Sequence, residues 1–338
     1  MAIRRAMAVV VALVMSATFA VAQQAPKKDE KKRSKQENQE IEQLVKVIDA
    51  AAAGQAVASE IGISIEPFHF LAAQNLTFVP FIMKLTNAPK TDLAMIVRVV
   101  APEVAATDAK AKPKGRPVYP WEDAHFISAA ELTGEPATLY RILQAAPGTY
   151  DVYIALKERL PEKAPRNAVA KTGWVKTSLT LPNFSNGEFA TSSVLVTDKV
   201  NTLTAPMTPD ERRVRPFVFG AQEFVPAPDL EFLKSEEFNV LFQVYNSGLE
   251  ATGKPNVTIE YEFHRMEDGA EKFFNRTQPQ AYNASNLPPQ FDPAIHPIPG
   301  SVAIPLTSFP AGSYRLAIKV TDKVANKVLN RDVKFVIK

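Results

Sequence analysis

Pro147-Gly148-Thr149-Tyr150-Asp151-Val152-Tyr153-Ile154-Ala155-Leu156 returns later in the chain as Pro310-Ala311-Gly312-Ser313-Tyr314-Arg315-Leu316-Ala317-Ile318-Lys319-Val320. The two glycines and the two tyrosines share one offset of 164 residues (312 − 148 and 314 − 150). In each copy a turn glycine precedes a tyrosine that opens an alternating apolar run, the pattern of a strand with one buried face. The flanks agree in kind. Ala137–Leu143 and Ser301–Leu306 precede the two motifs, and Trp174–Leu181 and Asp332–Ile337 follow them. Upstream, Leu76–Leu85 corresponds to Phe238–Tyr245, and Met95–Val100 to Val257–Phe263. Matching strand-like stretches in matching order predict one β-domain written twice.

Short strands without interleaved long helices exclude a doubly wound α/β fold and predict an all-β chain of two tandem sandwich domains. The first is expected over 61–185 and the second over 215–338. Between them lies a linker, 186–214, holding one extra strand (Thr191–Val200) and the charged cluster Asp210-Glu211-Arg212-Arg213. Pro80, inside an otherwise strand-like run, predicts an edge strand or a bulge, because proline donates nothing to a ladder. Residues 101–120, with few large apolar side chains, read as an exposed loop.

The N-terminus carries export features. Arg4-Arg5, the apolar run Ala6–Val14 and Ala20-Val21-Ala22 form a signal peptide over 1–22, or else an uncleaved anchor. The segment 23–60 follows as a charged leader and a short amphipathic helix, Glu40–Ala53, with Gly54 as its stop. No later apolar run approaches membrane-spanning length, so no transmembrane span is expected once the signal is removed. The expected location is the periplasm or the medium.

Composition excludes several chemistries. The 338 residues contain no cysteine, which removes disulfides, thiolate metal sites and thiol nucleophiles. The formal charge of +3 falls to +1 without Arg4 and Arg5, too little for a nucleic-acid partner. Four histidines stand far apart, and no phosphate loop, dinucleotide fingerprint or Gly-x-Ser-x-Gly elbow occurs. The expectation is a non-catalytic protein with no cofactor, no catalytic residue and no metal ligand. Two local groupings stand out. Trp121-Glu122-Asp123-Ala124-His125 puts acid, imidazole and aromatic within five residues; it reads as a loop leading into a strand, the alternative being a metal or acid–base role. Glu260, Glu262 and His264 share one strand face and read as a solvated sheet surface.

The Gly-x-Tyr junction resembles the tyrosine corner of immunoglobulin-like sandwiches. The tandem organisation resembles exported bacterial proteins with such modules. Pro226-Ala227-Pro228-Asp229, Phe238–Asn246 and Gly312-Ser313-Tyr314 also resemble the C-terminal β-domains of secreted GWxTD-motif proteins. The motif itself is absent: Gly173-Trp174-Val175-Lys176-Thr177 begins alike but lacks the threonine-aspartate step, so no functional residue carries over. The resemblance implies a sandwich module without assigned chemistry; tandem sandwiches with no catalytic constellation lead to the expectation of a module for protein–protein interaction or cell-envelope assembly, with a protein partner in the envelope. The alternative is a polysaccharide-binding protein that presents Trp121, Trp174, Phe274 and Tyr282 to a glycan; an unrecognised hydrolase comes third. The proline-rich loop Asn286–Pro299 is stiff enough either to recognise a partner or to cover an open sheet edge.

Overall fold

The structure is a computed structural model that describes residues 33–102, 118–161, 163–165 and 167–338. The expected signal peptide, the leader as far as residue 32 and most of the 101–120 loop lie outside the described residues. The protein is all-β, with few helices. The described residues form two compact units, one of 33–183 together with 209–216, the other of 184–208 and 217–338.

In the first unit, helix α1 (Lys35–Ala52) precedes strands β1 (Gly62–Pro67), β2 (Phe70–Leu71), β3 (Thr77–Thr86), β4 (Leu93–Val100), β5 (Trp121–Ile127), β6 (Ala137–Ala145), β7 (Gly148–Glu158) and β8 (Thr172–Leu181). One sheet places β1 and β2 on one side of β3 and β6 on the other; the second runs β5-β4-β7-β8, all antiparallel. Val79, Phe81, Met83 and Leu85 of β3 meet Met95, Val97, Ile154 and Leu156 across the core. The alternation read from sequence is thus the inward face of a sandwich.

The second unit begins with β9 (Ala190–Thr191) and β10 (Leu195–Thr202). After α2 (Pro209–Val214), which belongs to the first unit, come β11 (Val218–Phe219), β12 (Gln222–Pro226), β13 (Glu231–Phe232), β14 (Glu237–Tyr245), β15 (Val257–Glu267), β16 (Ala270–Arg276), β17 (Gln280–Tyr282), β18 (Ile298–Pro305), β19 (Gly312–Asp322) and β20 (Lys327–Ile337). Its sheets run β11-β12-β10-β14-β18 and β13-β20-β19-β15-β16. Phe238, Val240 and Phe242 face Tyr261, Phe263, Leu316 and Phe335 in its core.

The register of the central hairpin is the same in both units. Leu93 pairs with Glu158 and Val257 with Asp322, each residue 164 from its counterpart. The Arg159 N–H donates to the Asp92 carbonyl at 2.8 Å, and the Lys323 N–H donates to Asn256 at 2.9 Å, at the same offset. Gly148 and Gly312 have φ of +152° and +148°, a backbone region that favours glycine.

Three expectations need correction. β3 is a central strand rather than an edge. Pro80 is tolerated because its neighbour is interrupted there: β1 ends at Pro67, β2 starts at Phe70, and the Phe68 N–H caps the Pro80 carbonyl at 2.9 Å. The helix begins at Lys35 rather than Glu40, because Ser34 and Glu37 form a capping box: the Glu37 N–H donates to Ser34 Oγ at 3.1 Å and the Ser34 N–H to Glu37 Oε2 at 2.8 Å. Finally, the stretch read as a linker with an extra strand is divided. β10 pairs with both β12 and β14 inside a sheet of the second unit, whereas Asp210–Arg213 forms a helical turn on the first.

Helix α1 covers the outer face of the β5-β4-β7-β8 sheet. Leu44 and Ile48 bury against Ala94, Ile96, Tyr153 and Ala155. Ion pairs tie the helix at either end, Arg159 to Glu40 at 2.9 Å and buried Arg98 to Asp49 at 2.5 Å. The matching face of the second unit is charged instead. Glu260 pairs with Lys319 at 3.2 Å, His264 lies 3.7 Å from Glu262 and 3.5 Å from Glu271, and Arg315 bonds Glu271 and Asp332. Each acid there has a basic partner, as a solvated sheet surface requires.

Candidate functional site

Strands β5 and β6 are the edges of the two sheets of the first unit, so the seam between them is where the sandwich stands open. On β5 the residues sharing the inward parity of Trp121 and Ile127 are Asp123 and His125. On β6, Arg141 shares the parity of Leu139 and Leu143. The seam is therefore lined by charge rather than hydrocarbon.

Helix α2 lies on β6 and closes the seam. Its local sequence explains why one short turn forms. Pro209 opens it with a preset φ, Asp210 and Glu211 sit in the first turn, and Arg212 and Arg213 in the last, each charge matching the helix dipole. Arg213 bonds the Asp123 carboxylate. His125 Nε2 stands 3.1 Å from Asp123 Oδ2, and Arg141 reaches Glu131 Oε2 at 3.0 Å and the Tyr140 carbonyl at 2.7 Å. Burial pushes the His125 imidazole below its ordinary pKa; the Asp123 contact opposes that shift, and Arg141 and Arg213 reinforce it. Burial tends to raise Asp123, but His125 and Arg213 outweigh it and hold the carboxyl below its usual range. With neutral imidazole, two carboxylates and two guanidiniums, the cluster carries no net charge, which limits the cost of placing it in a half-buried seam.

An imidazole beside a carboxylate has the makings of an acid–base pair. Here His125 is 7% exposed, and the group its imidazole meets is the Asp123 carboxylate that Arg213 of α2 also bonds. Of the five-residue grouping read from sequence, the structure brings Asp123 and His125 together and sends Glu122 to the opposite face, onto Arg98 Nε at 2.6 Å. Arg141 and Arg213 went unrecognised. The signal for Arg141 was its parity, a cation at an inward position of the run Ala137–Leu143.

The four aromatic contact residues are separately placed. Trp121 packs inward on the first core, its indole N–H buried without an acceptor among the described residues. Trp174, on the far edge of the same sheet, faces α1, and its indole N–H donates to the Val57 carbonyl at 3.2 Å. Phe274 lies against Phe309 and Tyr314, with ring centroids at 4.9 and 5.5 Å. Tyr282 donates to the Pro299 carbonyl at 2.5 Å, and burial raises its hydroxyl to about 12. All four rings are half-buried in their own units; among described aromatic residues the exposed one is Phe273, at 59%.

A second locus is the loop end of the second unit. The Asp322 carboxylate, fully buried, accepts from the N–H groups of Gly248 (2.6 Å), Val324 (2.9 Å) and Ala325 (3.1 Å), which welds the β14–β15 loop to the β19–β20 turn. The Lys254 ammonium donates to the carbonyls of Pro288 (3.4 Å), Pro289 (3.0 Å) and Phe291 (2.6 Å), which pins the proline-rich β17–β18 loop. Leu249, Ile295 and Val324 are exposed on these loops.

No protein-family model and no curated protein matches this chain. Among solved structures, it aligns with trypsin-activated alpha-2-macroglobulin from Escherichia coli at 9% identity and a TM-score of 0.22, covering 83% of this chain and 17% of that one. Salmonella alpha-2-macroglobulin reacted with methylamine aligns at 11% identity and 0.20, covering 84% and 17%. The chain thus spans under a fifth of the length of those proteins, and its architecture rests on its own strand pairing. It is a β-sandwich protein. Among the described residues no helix is long and apolar enough to cross a membrane.

Proposed function

We infer that this chain is a non-catalytic exported protein of two immunoglobulin-like modules, acting by protein–protein interaction in the cell envelope. Three shared features support the modular part: the pairing order, the Gly-x-Tyr junctions and the common hairpin register. The observation that carries the interaction part is the loop end of the second unit, where Asp322 and Lys254 fix three loops before any partner arrives. A surface ordered in advance loses little conformational freedom on binding, and loops held on a rigid sandwich are where recognition concentrates. Leu249, Ile295 and Val324 supply exposed apolar contact on it.

The test is photo-crosslinking in the envelope from probes placed at Leu249 and Val324, compared with probes at Lys319 on the charged sheet face. A discrete adduct from each loop position is expected, the one from Leu249 being lost with Val324→Asp. Equal labelling from all positions, or none from the loops, removes the reading.

A further inference from the structure

The repeat makes one unit a template for the other. Lys254 stands three residues before Val257, the first residue of β15. Lys90 stands three residues before Leu93, the first residue of β4, and the two lysines are 164 residues apart (254 − 90), the offset of the shared hairpin. In the second unit the lysine ammonium is occupied by the unit's own Pro288–Phe291 carbonyls.

In the first unit the corresponding connection, 128–136, is shorter and is drawn elsewhere. Glu131 bonds Arg141 at the seam, and the Ala129 N–H is held by Asp92 Oδ1 at 2.9 Å. What is left beside Lys90 is a cleft of about 470 Å³, lined also by Ala88, Pro89, Ala129, Leu132, Gly134, Ala137 and one acid, Glu135. Lys90 is exposed and makes no ion pair or hydrogen bond among the described residues.

We propose that this cleft takes an extended, proline-containing segment of a partner protein, its backbone carbonyls turned to the Lys90 ammonium as those of Pro288, Pro289 and Phe291 are turned to Lys254. The chemistry of both sides fits. An ammonium has three donors and no acceptor, and a polyproline-type strand leaves its carbonyls free of internal hydrogen bonds. Pro89 and Leu132 give proline rings an apolar wall, while Asp92 and Glu131 hold the two sides of the cleft in place without entering it. The proposal rests on the interaction reading above and specifies a partner chemistry for a different surface, so the two fail separately.

The probe is the chain's own occupying sequence, Asn286–Phe291, as an acetylated and amidated peptide added to the full-length protein. Amide shifts are followed in the ¹⁵N-labelled chain. Saturable shifts at Ala88, Ala129, Leu132 and Gly134 are expected, with a dissociation constant on the order of 1 mM, as suits a short peptide with one charged anchor. Lys90→Met keeps the stem and removes the donors, and is expected to weaken binding about fivefold, the worth of one ordinary hydrogen bond at a solvent-exposed site. No saturable shift, shifts confined to the Lys254 loops, or binding indifferent to Lys90→Met would each overturn the proposal. Crosslinking from Leu249 and Val324 is unaffected by any of these outcomes.

Discussion

The Tyr314 hydroxyl donates to the carbonyl of Pro310, four residues upstream, at 2.8 Å, and the Tyr150 hydroxyl repeats the bond to Ala146 at 3.0 Å. The bonds match but their settings differ. Tyr314 is 2% exposed, with its ring stacked 5.4 Å from Phe335, whereas Tyr150 is half-exposed. Removing a hydroxyl from the buried corner strands a carbonyl with little access to water; at the open corner, water replaces it. Tyr314→Phe is therefore expected to destabilise the second unit by about 1–2 kcal/mol, and Tyr150→Phe the first by well under ~1 kcal/mol. Both tryptophans lie in the first unit, so indole fluorescence in urea reports that unit and hydrogen exchange at β19 reports the other. Equal costs would mean that burial does not govern the corner.

Arg213 on α2 and Asp123 on β5 make the second consequence measurable. Arg213→Ala leaves Asp123 with His125 alone and removes the contact that holds α2 over the seam. Amides of 209–216 should then exchange faster than in the parent, with the β7 and β8 core amides changing much less, because only the roof is released. Asp123→Ala goes further, taking the carboxylate from both Arg213 and His125 while Arg141 keeps Glu131, and is expected to cost about 1–3 kcal/mol. Unchanged exchange at 209–216 in Arg213→Ala would show that α2 is held by something other than this pair.

The same cluster sets a pH dependence. The folded imidazole of His125 titrates below its ordinary value of 6.5, and that of half-buried His69 shifts the same way, by its partial burial. The unfolded chain therefore takes up protons first as pH drops, and stability falls with it. The stabilisation is complete above about 6.5 and is lost as pH falls from there through the folded values. Asp123, also depressed, has the same sign in a lower window, below its ordinary 3.8. Urea midpoints read by indole fluorescence should decline from pH 7.5 to 5, and His125→Gln should flatten the decline. An identical slope in that variant would exclude His125 as a contributor.

Sequence order and parity carried the architecture. The alternation in Gly148–Leu156 and Gly312–Val320 is local, and one buried face per strand leaves it visible in the residues themselves. What was not visible depends on partners far away in sequence. Nothing in Asp210-Glu211-Arg212-Arg213 says that the segment closes a seam lined by Asp123, since that bond spans 90 residues. Pro80 misled for the same reason: its permission comes from a break between Pro67 and Phe70 in a neighbour. The aromatic contact residues show another limit. A tryptophan at a strand position fits a core and a glycan platform equally well in sequence, and only the neighbours of Trp121 and Trp174 reveal that both rings are already engaged. The shared positions of Lys90 and Lys254 were legible in principle, because both sit at the 164 offset, but their different surroundings were not.

Gly300 and Phe242 illustrate how one pairing scheme accepts two packings. They are cross-strand partners in β18 and β14, and a Cβ on Gly300 would lie 2.2 Å from Phe242 Cζ. In the first unit the β3–β6 pairing sets Leu139 against Met83, both buried. One unit thus sets a large ring against no side chain, and the other sets two medium side chains together. Gly300→Leu alone overpacks the second core and is expected to cost about 3 kcal/mol or more. Combining it with Phe242→Met copies the first unit's solution and should recover most of the loss, because total volume and patterning are restored. The comparison is made by hydrogen exchange at β14 and β15. A double variant no more stable than Gly300→Leu would show that the two cores are not interchangeable at this layer.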